Sequence, residues 1–308
     1  MPIILPSDLP ASDILKKERI FIMDSDRARS QDIRPLEVII ANLMPTKIQT
    51  ETQLLRRISN IALQVNVELL RTDSYVGKHT SLDHLDRFYT VFDQIRHKKY
   101  DAMIITGAPV EKLGFHDVHY WDELRQIMDF ARTNVFSTMF ICWAAQAAWY
   151  HYYGVQKHAY GEKLFGVYEV DVLQQNVLTS GFDDSFFVPH SRYTYCKRED
   201  IDRIKDMQVL AASEKVGVHM AATHDNRLLF VTGHGEYDTS TLDDEYKRDK
   251  ASGMPTALPE NYYRDNDPSK QIAVRWKAHS NLLFSNWLNY CVYQETPYRL
   301  EDITEKTL

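Results

Sequence analysis

Between residues 38 and 153 the chain alternates short runs that are apolar throughout with longer stretches whose apolar positions recur at helical spacing. The runs Val38-Ile39-Ile40-Ala41-Asn42-Leu43, Val65 to Leu70, Ala102 to Ile105 and Val135 to Ile141 have the pattern of parallel strands covered on both faces. Between and after them the spacing predicts helices over 46–62, over 88–97 (with Phe88, Val91, Phe92 and Ile95 on one face), over 121–131, and over 143–153, closed by Gly154. Pro45 and Thr106-Gly107-Ala108-Pro109 mark strand ends. Such alternation, with connections long enough for right-handed crossovers, predicts a parallel sheet between two helical layers, with ligands outside the carboxyl ends of its strands.

The second half changes character. Leu164 to Leu173, Phe186 to Cys196 and Val209 to Ala212 read as strands, and Val218 to Thr223 with Leu228 to Thr232 form a hairpin around His224-Asp225-Asn226-Arg227. The fold is therefore expected to end in a mixed sheet. Helices are predicted over the charged segment 238–250 and the apolar segment 281–292. Residues 1–34 are polar, show no sustained period and end in the charged stretch Asp24 to Arg29, which predicts an arm laid over the core. Residues 35–308 read as a single α/β domain, since 308 residues can bury one large core and no compositional boundary or repeat divides them.

Composition narrows the function classes. Apolar residues at 44% and charged residues at 26% describe an ordinary soluble globular chain. The net charge of −7, without any basic cluster interleaved with aromatics, argues against a nucleic-acid partner. The first residues lack a basic and then apolar leader, and Ser137, Thr138 and Gln146 interrupt the most apolar stretch, Val135 to Trp149. No membrane association is expected, and the cytoplasm is the expected compartment. Cys142, Cys196 and Cys291 are too few and too scattered for a disulfide framework, which suits a reducing compartment and a reactive thiol. Twelve histidines form no H-E-x-x-H arrangement, and His116 and His119 have no third ligand near them in sequence, so no metal is expected.

Candidate chemistry starts at Cys142, where the apolar run ending Met139-Phe140-Ile141 meets the helical stretch Trp143 to Trp149. A strand-to-helix turn projects a nucleophile above the sheet edge, and the helix N-terminus behind it favours a thiolate. Taken alone, a cysteine in this context is more often a buried core residue. Downstream, Thr232-Gly233-His234-Gly235-Glu236-Tyr237 follows another apolar strand. Residues i and i+2 of an extended segment point the same way, so Glu236 can hold the His234 ring while its other nitrogen faces a nucleophile. A lone H-x-E is commonly a hydrogen-bonded loop histidine; joined to the cysteine, it describes a Cys-His-Glu triad.

Five segments, in order, carry a resemblance: Asn42-Leu43-Met44-Pro45-Thr46-Lys47, Thr106 to Pro109, Phe140-Ile141-Cys142-Trp143-Ala144-Ala145-Gln146, Pro189-His190-Ser191-Arg192-Tyr193-Thr194 and Gly233 to Tyr237. From end to end the chain resembles the homoserine O-acyltransferases of the homoserine O-succinyltransferase type, which are related in fold to class I glutamine amidotransferases. The resemblance implies a class I glutamine amidotransferase-like (flavodoxin-like) three-layer α/β sandwich. It also implies that Cys142 accepts an acyl group from acyl-CoA, with His234 as base and Glu236 as its orienter, and passes it to L-homoserine for methionine biosynthesis. The same resemblance points to Lys163, Ser191 and Arg248 for homoserine, with Lys47 and Arg192 as secondary candidates. Arg248 suits a carboxylate because a guanidinium binds one through two parallel bonds. The Trp143 N–H is a natural oxyanion donor, with a second expected near Gly107 or Leu43.

Glu111 bears on the acyl group. In the family this resembles, glycine at that position goes with succinyl transfer and glutamate with acetyl transfer. A glutamate there opposes the terminal carboxylate of succinyl-CoA by bulk and like charge. Acetyl-CoA is therefore the expected co-substrate, with no further cofactor, and a homodimer is typical of the family. Three alternatives stand beside it: succinyl-CoA as donor, a glutamine amidotransferase-type hydrolase, and a non-catalytic binding protein. The second usually has a G-x-C-x-G elbow, whereas Phe140 and Ala144 stand here; the third predicts that Cys142 reacts no faster than Cys196 or Cys291.

Overall fold

Val38 and Ile40 pack into one apolar cluster while Ile39 and Ala41 pack into another, so a run that is apolar at every position is buried on both faces. The computed structural model describes residues 3–6, 8–18, 22–23, 34–59, 61–74 and 80–308. Its strands are β1 (Ile3–Ile4), β2 (Ile22–Met23), β3 (Leu36–Ala41), β4 (Val65–Arg71), β5 (Tyr89–Val91), β6 (Tyr100–Ile105), β7 (Val135–Ile141), β8 (Lys157–Val172), β9 (Ser185–Cys196), β10 (Met207–Ser213), β11 (Gly217–Thr223) and β12 (Leu228–Val231). They form one sheet in the order β2, β1, β4, β3, β6, β7, β12, β11, β10, β8, β9, with β5 beside β4. Pairing is parallel from β2 through β12 and antiparallel from β12 to β9.

The two apolar clusters are the two interfaces of a three-layer sandwich. One face is covered by helices Pro10–Lys17, Lys47–Ile58 and Lys277–Asn286, the last loosening into a π-helical segment over Trp287–Tyr293. The other is covered by Trp121–Asn134 and Trp143–Tyr153, with Phe92–Ile95 and Arg198–Asp202 at its margins. The helix after Cys142 is buried from Trp143 through Trp149, which is why its sequence shows no polar face. Trp149 stacks on Phe230 (5.0 Å between ring centres) and Phe230 on Phe140 (5.3 Å), joining this helix to β12 and β7.

Two expectations change. The helix predicted over 88–97 is broken: Tyr89–Val91 pairs in parallel with Leu69–Arg71, and only Phe92–Ile95 is helical after it. The apolar positions Phe88, Val91, Phe92 and Ile95 fit a helix locally, but the free edge of β4 captures the extended form. Tyr89 is fixed there by a hydrogen bond from its hydroxyl to Glu51 (2.5 Å) and one it accepts from Asn42 (2.9 Å). The predicted strand at Leu164 also starts earlier, at Lys157, and the β8–β9 register jumps between Ala159 and Leu164. That bulge throws Tyr160 to Lys163 out of the ladder.

In the arm predicted over 1–34, Ile3–Ile4 pairs with Val65 and Asn66 and with Ile22–Met23. Leu5, Leu9, Ala11 and Leu15 join the core under helix Pro10–Lys17. The arm thus extends the sheet as well as covering it; the charged stretch Asp24 to Arg29 lies outside the described residues. Among the described residues no helix is long and apolar enough to cross a membrane.

Candidate active site

β7 and β12 are parallel neighbours with Ile141 opposite Val231, so the chain leaves the sheet at the same edge from both strands. After β7 comes Cys142, with φ 54° and ψ −116° and its N–H bonded to the Val231 carbonyl at 2.7 Å. A non-glycine residue at that φ carries strain of about 1–3 kcal/mol, typical of functional turns. The strain is held by the buried strand on one side and the buried helix on the other, and its product is a thiol standing above the sheet at the first turn of a helix. Gly107 faces it: a β-carbon added there would lie 3.1 Å from the Cys142 Cβ and 3.6 Å from the Trp143 nitrogen. Any side chain at 107 would fill the space between thiol and helix N-terminus. The Leu43 N–H is engaged by Thr106 Oγ1 at 2.8 Å, whereas the loop at Gly107 lies against Cys142 and the Trp143 nitrogen.

After β12 the chain turns so that the His234 N–H bonds the Pro189 carbonyl at 2.8 Å. This approach to β9 requires glycine at 233, where a β-carbon would sit 2.7 Å from Val188 Cγ2 and 2.9 Å from the His190 ring. His234 Nδ1 and Glu236 Oε1 are 2.7 Å apart, both nearly inaccessible, and the Cys142 side chain acts on the same ring. Burial disfavours a charged imidazole. The Cys142 sulfur and the Glu236 carboxylate override it and raise the ring well above the ordinary histidine range. Nδ1 is committed to Glu236, which leaves Nε2 for the sulfur. This is the arrangement of a cysteine–histidine pair whose ring is oriented by a carboxylate.

His234, Glu236, Gly107 and Arg248 line a cleft of about 260 Å³, together with Met44, Gln53, Tyr237 and Glu245. Lys163, delivered by the β8 bulge, bonds Glu245 at 2.6 Å and Asp249 at 3.2 Å; Ser191 donates to the same Glu245 oxygen at 2.8 Å. Glu111 accepts from the Tyr193 N–H at 3.1 Å; burial raises its carboxyl above the usual range, with the Tyr193 bond and the charges of His234, Lys163 and Arg192 opposing. Arg248 stands at the mouth of the cleft, bonded to Asp249 at 2.7 and 3.0 Å. Lys47 and Arg192 are turned elsewhere. Lys47 bonds the Asn42 and Met44 carbonyls, and its burial lowers it to about 8. Arg192 is buried with its guanidinium on Thr194 O, Val216 O and His190. Glu245, Asp249 and Tyr237 carried no sequence signal of their own, although each lies inside or beside a segment singled out for other residues. His116 Nε2 meets the Tyr150 hydroxyl at 2.9 Å, and no metal-ligating group of three or more occurs among the described residues.

Beneath the turn, His190 and His219 pack edge to face, both nearly inaccessible, with His190 Nε2 and His219 Nδ1 unpartnered. Burial, then the nearby positive charge of Arg192, lowers both, His219 to about 3. Each is neutral in the fold but takes a proton near 6.5 when unfolded, so their stability is complete above that pH and is lost as pH falls toward 3. Below pH 6 each is expected to cost about 1.4 kcal/mol per pH unit. Urea unfolding at pH 7.5, 6.0 and 5.0 measures the slope; His219→Phe is expected to remove roughly half of it.

Comparison with known proteins places the chain in a family. The family model described as homoserine O-succinyltransferase matches residues 2–298. The chain belongs to the homoserine O-succinyltransferase family. Proteins named homoserine O-acetyltransferase from Bacteroides thetaiotaomicron and Thermotoga neapolitana are 53% and 55% identical to it, each aligned over 98% of this chain and 100% of the relative. Another of that name, from Geobacillus kaustophilus, is 55% identical with the same coverage. In fold the chain is similar to a glutamine amidotransferase from Thermotoga maritima, with TM-score 0.55 and 13% identity, covering 83% of this chain and 98% of that one. A glutamine amidotransferase from Methylobacillus flagellatus gives TM-score 0.52 over 83% and 95%. This family member thus has a glutamine amidotransferase-like fold, mostly parallel with a mixed C-terminal half.

Proposed function

We propose that this protein transfers an acetyl group from acetyl-CoA to the hydroxyl of L-homoserine, giving O-acetyl-L-homoserine, through a thioester on Cys142. The observation that carries this reading is the Cys142 elbow acting on His234, with Glu236 2.7 Å behind the ring. The relatives named homoserine O-acetyltransferase, more than half identical over nearly the whole chain, supply the substrates. In the first half-reaction the Cys142 sulfur attacks the acetyl carbonyl, and the oxyanion meets the N–H groups of Trp143 and Gly107. The coenzyme A thiolate leaves with the proton of His234. Homoserine then gives its hydroxyl proton to His234 as its oxygen attacks the thioester, and the Cys142 thiolate departs. A thioester keeps the acetyl group activated between the two halves.

The cleft carries both signs of charge, Arg248 on one hand and Asp244 and Glu245 on the other, as a zwitterionic amino acid requires. We assign the homoserine carboxylate to Arg248, and to Lys163 and Ser191 the support of that wall through Glu245. Glu111, among the positive charges of His234, Lys163 and Arg192, limits the acyl chain. The reading takes the protein as a cytoplasmic homodimer needing no metal or cofactor beyond its co-substrate; sedimentation velocity tests the dimer.

Incubation with acetyl-CoA alone is expected to add one acetyl group to Cys142, seen by mass spectrometry and removed by homoserine; no adduct in active protein would overturn the two-step scheme. Steady-state kinetics with both donors test the acyl choice. Glu111→Gly is expected to move the succinyl-to-acetyl ratio of kcat/KM upward by about 10- to 100-fold, the scale of removing one like charge from a partly desolvated site. A wild-type preference for succinyl-CoA would contradict the assignment. Ammonia release from glutamine would point instead to the amidotransferase reaction.

A further inference from the structure

Three residues after His234 the chain places Tyr237, whose ring lies flat on the imidazole: the ring centres are 4.2 Å apart and the planes 13° from parallel. Local geometry explains the contact. The Tyr237 N–H returns to the His234 carbonyl at 3.3 Å, a turn that sets side chains three apart on the same side. The tyrosine is anchored independently of the histidine. Its carbonyl accepts from the Trp276 indole at 3.0 Å, and its ring belongs to a separate buried cluster with Phe165, Val167, Leu242, Tyr262 and Trp276. One ring face covers His234 while the residue also lines the cleft.

We propose that Tyr237 is a positioning residue for the catalytic histidine, fixing the plane of the His234 ring and favouring its cationic form through the face of its own ring. An aromatic face attracts a cation, and the attraction grows when water is excluded, as it is here. The inference rests on the reading of His234 as the base. The other charged or titratable groups facing His234 are Cys142 before the helix Trp143–Tyr153, Glu236 on the same turn, Glu111 after β6, and His190 and His219 from β9 and β11. Arg57 acts on Glu236, and Glu245 on Tyr237. Cys142 and Glu236 hold the proton on the ring by charge; Tyr237 adds a contact that contributes no charge and blocks rotation of the ring about its bond to Cβ. A cysteine–histidine pair must keep the imidazole aligned through both half-reactions, while the proton leaves it and returns, and a parallel aromatic plate serves both states.

The test compares wild type, Tyr237→Phe and Tyr237→Leu by NMR titration of protein carrying ring-labelled histidine, and by the pH dependence of Cys142 alkylation with iodoacetamide. Tyr237→Phe keeps the ring face and is expected to titrate within about 0.3 pH unit of wild type. Tyr237→Leu is expected to lower the His234 midpoint by about one pH unit, the size of a desolvated cation–aromatic contact, and to slow neutral-pH alkylation several-fold. Replacing Tyr237 by pentafluorophenylalanine keeps the shape but reverses the charge of the ring face, and is expected to shift the midpoint as leucine does even if the leucine protein folds poorly. An unchanged midpoint in the pentafluorophenylalanine protein overturns the proposal; so does a Tyr237→Phe protein that behaves like Tyr237→Leu, which would place the effect in the hydroxyl. Acetyl-adduct formation on wild-type Cys142 is read in parallel. Its failure would count against the acyl-transfer reading and leave the titration standing, whereas an intact adduct with an unmoved midpoint counts against Tyr237 alone.

Discussion

Cys142→Ala is expected to lower kcat/KM for acetyl transfer by at least about 10⁴-fold and to abolish the acetyl adduct, while leaving the fold intact. The expectation is large because the residue is the sole nucleophile in the proposed scheme and nothing near it can substitute. Cys196 and Cys291 are both buried, and burial pushes each thiol up to about 12, so neither presents a thiolate at neutral pH. Stability should change little. Alanine removes only the sulfur, and the positive φ that strains cysteine strains alanine similarly. Intact-mass measurement and a thermal melt check the two halves together. A variant retaining more than one per cent of activity would remove Cys142 from the chemistry, and equal alkylation of all three cysteines in wild type would favour a non-catalytic binding protein.

Glu236→Gln is expected to cost about 10³-fold in kcat with a far smaller change in KM. Two consequences of one substitution add. The carboxylate charge that helps hold His234 protonated disappears, so the imidazole midpoint falls and the alkaline limb of the pH–rate profile moves to lower pH. The amide can also donate to Nδ1, at the 2.7 Å now spanned by the carboxylate, which leaves the ring proton on the nitrogen facing the sulfur in the neutral state. The imidazole can then no longer accept from the thiol or from homoserine. Rates measured from pH 6 to 9 separate the two effects, because the charge effect shifts the profile and the tautomer effect lowers it throughout. A loss of less than ten-fold would mean that Glu236 only supports the turn.

The elements that locate this chemistry are written locally. Val135 to Ile141, the abrupt start of the helix at Trp143, its end at Gly154, and the hairpin at His224 to Arg227 all occur as the apolar pattern predicts. The approach of Glu236 to His234 likewise arises from two residues of spacing in one turn. Periodicity misled where a neighbour overrode it. The segment 88–97 satisfies a helical pattern, but the exposed edge of β4 and the buried partners of Tyr89 draw three of its residues into a strand.

What only the tertiary structure decided is which local pieces meet. Nothing in the sequence states that β12 lies beside β7, some ninety residues earlier, yet that register alone sets His234 opposite Cys142. Nor does it state that a bulge turns Lys163 toward Glu245 and Asp249 on a helix about eighty residues away, or that Arg192 turns inward to backbone carbonyls. Short-range signals survive in sequence because turns, caps and buried strands constrain the few residues that form them. Strand order and charge partners depend on how the whole core closes, and that energy is spread over residues far apart in the chain. The sequence by itself therefore determined the thiol at a strand-to-helix turn and the histidine with its carboxylate; the closing of the sheet decided that they form one site.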